Sequence, residues 1–353
     1  MYYGKPQNNS EKYIKIAGYI VRFGAVTCVI AIFCCLIFNI DAEKGVVVTT
    51  DENLLTKKIV PFDAWRAPDS STMPPGKQGE MIKYGKDLIV RTAAYFGPNG
   101  SLVQLSNGMN CQNCHLSAGT RLYGNNFASF IAAYPKMSAR SGKVEPATQR
   151  IVECFRRSLS GKSPDTTAKE VQAMLAYMKW LGKDVKKSTE LFCNATEKLP
   201  YLNGSANPLK GKLIYNAKCQ SCHGAGGQGL LAADKKSYVY PPLWGPHSYN
   251  DGAGMYRIGN LAGFVKNNMP YGVTYENPQL SDEECWNVAA FINTQPRPHR
   301  DQHNDYTNIY KKPIDAPFGP YVDTFSERQH KLGPFKPILA YLQTHRGKKI
   351  GLR

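Results

Sequence analysis

The sequence predicts a mainly α protein, two small helical domains in tandem behind an apolar N-terminal segment and ahead of an extended C-terminal wrapping segment. Three observations predict it. The pentad Cys-x-x-Cys-His occurs twice, as Cys111-Gln112-Asn113-Cys114-His115 and as Cys219-Gln220-Ser221-Cys222-His223. Each pentad lies between an upstream and a downstream helical pattern, so the chain contains an internal repeat. No period-two alternation extends beyond a few residues, so little sheet is expected.

The pentad fixes the chemistry of each domain. Two thiols one helical turn apart add across two vinyl groups, and the adjacent imidazole reaches the iron from the same side, as in covalent c-type haem attachment. Cys111 and Cys114 then hold one haem and Cys219 and Cys222 a second, with His115 and His223 as axial ligands. A redox dithiol or half of a zinc site is the alternative for a single pentad, and the duplication weighs against it. Two tandem class I-like cytochrome c domains follow. Of 353 residues, about a hundred fall to each domain, a usual size.

Taken in chain order, residues 1–15 read as a cytoplasmic tail and 16–42 as a transmembrane anchor. Phe23 to Ile40 is almost uninterruptedly apolar, about 27 Å at helical rise and long enough to cross a bilayer. Lys5, Lys12, Lys15 and Arg22 precede it, whereas Asp41 and Glu43 follow with only Lys44. The positive-inside rule therefore puts the rest of the chain on the periplasmic side of a bacterial cytoplasmic membrane. A cleaved signal peptide would need a small-residue cleavage site, and Asn39-Ile40-Asp41-Ala42 is a poor one. Residues 43–75, with Phe62-Asp-Ala-Trp65 and several prolines, read as a packed linker.

Residues 76–187 form the first cytochrome c domain. Met81, Tyr84, Leu88 and Ile89 recur at helical spacing around Gly85, Thr148 to Leu159 is helical in pattern, and Val171 to Leu181 closes the domain with Met174, Tyr177, Met178 and Leu181 on one face. No Met-Pro ligand loop occurs here. Cys154 instead stands 39 residues after His115, where such a domain commonly returns its second axial ligand, with Met137 as the competing thioether. Arg150 and Ser158 lie four residues to either side, so a guanidinium, a thiolate and a hydroxyl share one helical face. That is an anion site beside a haem, or a structural cysteine among solvated arginines.

Residues 188–208 are an interdomain linker and 209–296 the second cytochrome c domain. Gly211, Leu213 and Tyr215 follow Pro208, and a closing helix from Asp282 to Asn293 carries Trp286, Ala289, Ala290 and Phe291. Ser281-Asp282-Glu283-Glu284 has the form of its N-cap. Asn268-Met269-Pro270 lies 46 residues after His223 and makes Met269 the axial ligand, ahead of Met255 and His247. Thiolate ligation lowers a haem potential and His/Met ligation raises it, so electrons run from the first haem to the second. Residues 297–353 are Pro-rich and basic, but Tyr310, Phe318, Tyr321, Phe335 and Ile338 make them a segment wrapped over the domains rather than a disordered tail.

Ten cysteines are thereby sorted: four on haem, Cys28, Cys34 and Cys35 in the membrane segment, Cys154 at iron, and Cys193 and Cys285 either paired or free. The formal charge of +17 suits dianionic substrates and an acidic electron acceptor. Nucleic acid is excluded as a partner by the haems, the compartment and the lack of any recognition motif.

At this point the chain resembles the thiosulfate dehydrogenase and tetrathionate reductase family of dihaem c-type cytochromes, over roughly residues 76 to 340. The resemblance is carried by Tyr134-Pro135 with Arg140, by Arg150, Cys154 and Ser158 at their spacing with Gly161, by Tyr240 through Met255, and by Asn268-Met269-Pro270-Tyr271-Gly272. It implies that Cys154 is the distal ligand of the first haem and that Arg140, Arg150 and Ser158 hold the anion. It further implies joining of two thiosulfates to tetrathionate, or the reverse, with electrons passing to a periplasmic or membrane-bound acceptor such as a cytochrome c or a terminal oxidase. Some members carry Lys before the ligand Met. Asn268 stands there in this chain. A membrane-tethered electron carrier with no small substrate is the competing class, and thiosulfate-dependent haem reduction separates the two.

Overall fold

The computed structural model describes residues 58–346 apart from 190, 193 and 234. The anchor over 16–42, the tail before it and Cys193 therefore lie outside the described residues. No helix among the described residues is long and apolar enough to cross a membrane.

The repeat appears as two copies of one helix pairing. In the first domain α1 (Gly76–Val90) packs on α3 (Lys169–Leu181), with α2 (Ala147–Arg157) between them in the chain. In the second, α4 (Pro208–Lys218) packs on α6 (Asp282–Thr294), which also packs on α5 (Ile258–Asn268). A glycine sits at each crossing. A Cβ on Gly85 would fall 1.9 Å from the carbonyl oxygen of Ala173, and one on Gly211 would fall 1.9 Å from that of Asn287. Both helices thus approach backbone to backbone, and any side chain there would force them apart.

Local chemistry sets the ends. Pro208 occupies the first turn of α4 behind Asn207, whose side chain accepts from the amides of Leu209 and Lys210. Ser281 and Glu284 form a reciprocal capping box on α6, and Asp282 and Glu283 add negative charge at the positive end of the dipole. Among the described residues strand content is confined to two small antiparallel hairpins, β1 (Lys136–Met137) with β2 (Val144–Glu145) and β3 (Leu230–Leu231) with β4 (Tyr238–Tyr240).

Two apolar cores follow the two domains. Leu88, Ile89, Phe155, Met174 and Tyr177 centre the first; Tyr215, Ile258, Trp286 and Ile292 centre the second. The C-terminal segment differs from the extended form expected of it. After an irregular course it forms α7 (Glu327–Leu332) and α8 (Phe335–Arg346). Phe335, Ile338 and Leu342 recur at helical spacing and are buried in the second core, where the Phe335 ring meets Tyr201 and Trp286. Most of the described part of the segment is irregular, and only its end, α7 and α8, is α-helical.

Candidate functional site

Each pentad faces its own cavity. The first, of about 200 Å³, is lined by Cys111, Cys114 and His115 from the pentad and by Arg150, Cys154 and Ser158 from α2 and its C-cap. One turn of helix separates each member of the latter trio from the next, which brings all three to one face. The second cavity, about 710 Å³, is lined by Cys219, Cys222 and His223, with both Met269 and Met255 across it. Cys114 lines both cavities, so the two sites share a wall.

The imidazoles are set as axial ligands are set. His115 Nδ1 lies 2.6 Å from the Asn125 carbonyl oxygen, and His223 Nδ1 lies 2.8 Å from that of Pro241. A carbonyl can only accept, so each Nδ1 carries the hydrogen and each Nε2 keeps its lone pair for a metal. Burial pushes His115 down to about 4, with the Asn125 hydrogen bond opposing and the Arg150 charge adding to it. His223 is lowered by the same cause. Both rings are therefore neutral at physiological pH, as ligation requires. Burial also raises the Cys111 and Cys114 thiols, each to about 12. A neutral thioether suits that apolar wall better than the thiolate a zinc site needs. Among the described residues no group of three or more His, Cys, Asp or Glu is placed to hold a metal ion. The residues fit two c-type haems.

The electrostatics of the first cavity favour an anion. The Arg150 guanidinium is held above its ordinary range, first by negative charge on Cys154, against burial and with a further contribution from Tyr134. Burial raises the Tyr134 hydroxyl to about 12, with Arg150 opposing and Cys154 adding. Lys136 is lowered by burial and by the same guanidinium. Of these three, Arg150 lines the first cavity with Cys154, and Tyr134 and Lys136 sense its charge.

Arg140 is placed elsewhere. It lines a different pocket, where its Nη1 donates to the Gly252 carbonyl at 3.0 Å and its Nε lies 3.7 Å from Asp305. Met137 is 52 % exposed on β1, whereas Met174 and Met178 line the first cavity beside Cys154. Asn268 is buried and donates to the Tyr123 and Phe264 carbonyls, at 3.1 and 2.9 Å. Its side chain is therefore engaged away from the second cavity. Cys285 is buried and free.

Three functional contacts were beyond sequence reasoning. Asn125 takes the His115 hydrogen bond through its carbonyl, and its side-chain nitrogen donates to the Cys114 carbonyl at 3.2 Å and lies 3.9 Å from the Met255 sulfur. Its φ of +53° is one that asparagine tolerates better than most residues. Asn250 donates to the Arg156 carbonyl at 2.8 Å and, through its amide, to that of Arg157 at 3.2 Å, capping the end of α2 from the second domain. Arg157 is 5 % exposed and locks α2 to the C-terminal segment. Arg157 offered no sequence signal, since its partner Asp305 is 148 residues away.

Residues 102–186 match the SoxA/TsdA cytochrome c domain and residues 209–296 match cytochrome c. The chain is 38 % identical over 244 residues to a thiosulfate dehydrogenase of Allochromatium vinosum, covering 67 % of this chain and 86 % of that protein. It is 33 % identical over 266 residues to one of Stutzerimonas stutzeri, covering 71 % and 83 %. A solved thiosulfate dehydrogenase (TsdBA) of Marichromatium purpuratum, in its as-isolated form, superposes with a TM-score of 0.62 at 31 % identity over 68 % of this chain. This chain spans half of that longer one.

Proposed function

The chain belongs to the thiosulfate dehydrogenase family and carries two c-type haems, and from that premise we propose that it joins two thiosulfates into tetrathionate, or runs the reverse, at Cys154 in the first cavity. The observation that carries this reading is the convergence of Arg150, Cys154 and Ser158 with His115 on one enclosed space. Two dianions repel each other as they approach through sulfur. A guanidinium fork offsets that repulsion because it stays charged and binds oxyanions at two points.

In the proposed sequence His115 and Cys154 would hold the first haem and His223 and Met269 the second. The Cys154 thiolate bonds to the outer sulfur of one thiosulfate. Two electrons depart as the S–S bond forms, leaving a Cys-S-S-sulfonate. The outer sulfur of a second thiosulfate then attacks the adduct sulfur next to the sulfonate, so that tetrathionate forms and the Cys154 thiolate departs as leaving group. When bound, the two haems supply the one-electron acceptor sites this oxidation requires. Arg150 grips a sulfonate oxygen and Ser158 offers a hydroxyl to the same group, while Arg140, facing Asp305 in its separate pocket, takes no part.

In this reading residues 16–42 anchor the protein to a bacterial cytoplasmic membrane, with the haem domains in the periplasm and an external acceptor receiving the electrons. Thiosulfate added to the oxidised protein should reduce its haem absorbance. A protein whose spectrum ignores thiosulfate, while tetrathionate leaves the reduced form unchanged, would be an electron carrier instead.

A further inference from the structure

The chain approaches the first domain through a turn that holds apolar side chains out in water. The Ala64 amide donates to the Pro61 carbonyl at 3.0 Å, closing a turn with Phe62 and Asp63 at its tip. Phe62 is 92 % exposed and Ile59 is 82 % exposed, and neither belongs to either core. Single exposed apolar residues are ordinary on a protein surface. These two stand three residues apart on a segment that is pinned on both sides.

Before the turn, Lys58 Nζ lies 2.6 Å from Glu197 Oε1 and 4.7 Å from the centroid of the Tyr275 ring. Glu197 is itself fixed, because its Oε2 accepts from the Asn267 side chain at 2.8 Å. After the turn, Ala64 is buried, and Trp65 and Ala67 pack against the first core. A turn held in this way keeps the Phe62 ring off both cores. Ordering an apolar ring without burying it costs conformational entropy and gains no transfer free energy, unless something outside the fold covers it.

The sequence upstream indicates the cover. Phe23 to Ile40 has the composition and length of a bilayer span, and residues 43–57 separate the end of that anchor from Lys58. Those fifteen residues reach about 50 Å at full extension, so the turn can stand no further than that from the bilayer surface. Exposed Arg66 offers positive charge to anionic headgroups. Exposed Asp63, beside Phe62, limits the depth of entry to the headgroup region, where a carboxylate keeps its water.

We propose that Ile59 and Phe62 form a membrane foot, which dips into the headgroup boundary of the bilayer and holds the haem domains at a set height and tilt above it. Tethering makes two side chains sufficient. The anchor keeps the turn near the surface, so its insertion is an intramolecular event that need not supply the binding alone. The inference rests on the anchor reading of residues 16–42 and not on haem ligation or thiosulfate chemistry.

The test reconstitutes the full-length protein in vesicles of phosphatidylethanolamine and phosphatidylglycerol that contain a lipid with a photoactivated diazirine near its headgroup, and reads labelled tryptic peptides by mass spectrometry. Cleavage after Lys58 and Arg66 isolates residues 59–66, and cleavage after Arg22 and Lys44 isolates 23–44. Both peptides should carry lipid in the wild type. Ile59→Ser combined with Phe62→Ser should bring the label on 59–66 down to background and leave that on 23–44 unchanged, with haem absorbance and melting temperature as in the wild type. Should the variant misfold, the wild-type labelling pattern decides. Label on 23–44 with none on 59–66 overturns the proposal and keeps the anchor. No label on either peptide removes the anchor reading and the proposal with it. Equal label on the peptides bearing Leu209 and Tyr271, which are 77 % and 82 % exposed, would mean indiscriminate adsorption and also overturns it. So does a dimer in detergent that Phe62→Ser disperses, which would give the turn to a second copy of the chain.

Discussion

Arg157 and Asp305 meet in a two-point ion pair, Nη1 to Oδ2 and Nη2 to Oδ1, both at 2.8 Å. Their side chains are 6 % and 12 % exposed, and the pair ties α2, which carries Arg150 and Cys154, to a segment beyond the second domain. Arg157 also donates to Glu153 at 3.0 Å, so the guanidinium has a second carboxylate. The helix that forms one wall of the first cavity is thereby positioned by residues far from it in the chain.

Asp305→Ala should destabilise the protein by about 1–3 kcal/mol, the range for losing a charge-assisted hydrogen bond in a buried setting. The larger cost of a wholly unpaired buried charge is avoided because Glu153 remains. Denaturant unfolding of the variant and wild type checks this, and an unchanged midpoint would mean that the pair does not anchor α2.

Glu153 gives an acid-limb prediction. Burial raises its carboxyl, but the hydrogen bonds and charges of Arg157 and Arg156 outweigh that, so the net shift is below the ordinary 4.5. A carboxyl lowered in the folded state stabilises the fold fully above its unfolded value, and that contribution is lost as pH falls through the folded one. Wild type should therefore lose stability below about pH 4.5 more steeply than Glu153→Gln. Melting temperatures measured from pH 6 to 3 should converge for the two proteins at the acid end.

Two arginines on α2 separate charge from geometry. Arg150→Lys keeps the charge but loses the fork, and should cost about 1.5–3 kcal/mol of transition-state binding, roughly ten- to hundredfold in kcat/KM. Arg156, whose side chain is 42 % exposed and paired with Glu153 at 2.7 Å, should accept the same change with little effect. Equal tolerance at both positions would move the anion site away from Arg150 and strengthen the carrier reading.

Met269 and Met255 both face the second cavity. Replacing Met269 with Ala should lower the second haem's potential by removing the electron-poor thioether, whereas Met255→Ala should leave that ligation intact. Redox titration distinguishes them. The opposite ranking would make Met255 the ligand.

The sequence alone determined whatever depends on short, periodic patterns. Two pentads gave two haem domains, the four-residue spacing of Arg150, Cys154 and Ser158 put them on one face, and Ser281 with Glu284 marked the start of α6, because helical geometry converts such spacing directly into position. The glycines at 85 and 211 stood out as repeat members, but only packing revealed why: each lets a helix meet the backbone of its closing partner. Tertiary structure alone decided the contacts that span long loops. Arg140 leaves the cavity of Arg150 for the pocket near Gly252 and Asp305, Asn125 links His115 to Met255, and the C-terminal segment turns helical where Phe335 and Ile338 find the second core. No local pattern encodes such partners, since their proximity arises only when residues more than a hundred positions apart in the chain close against one another, burying charges that each element would otherwise leave in water.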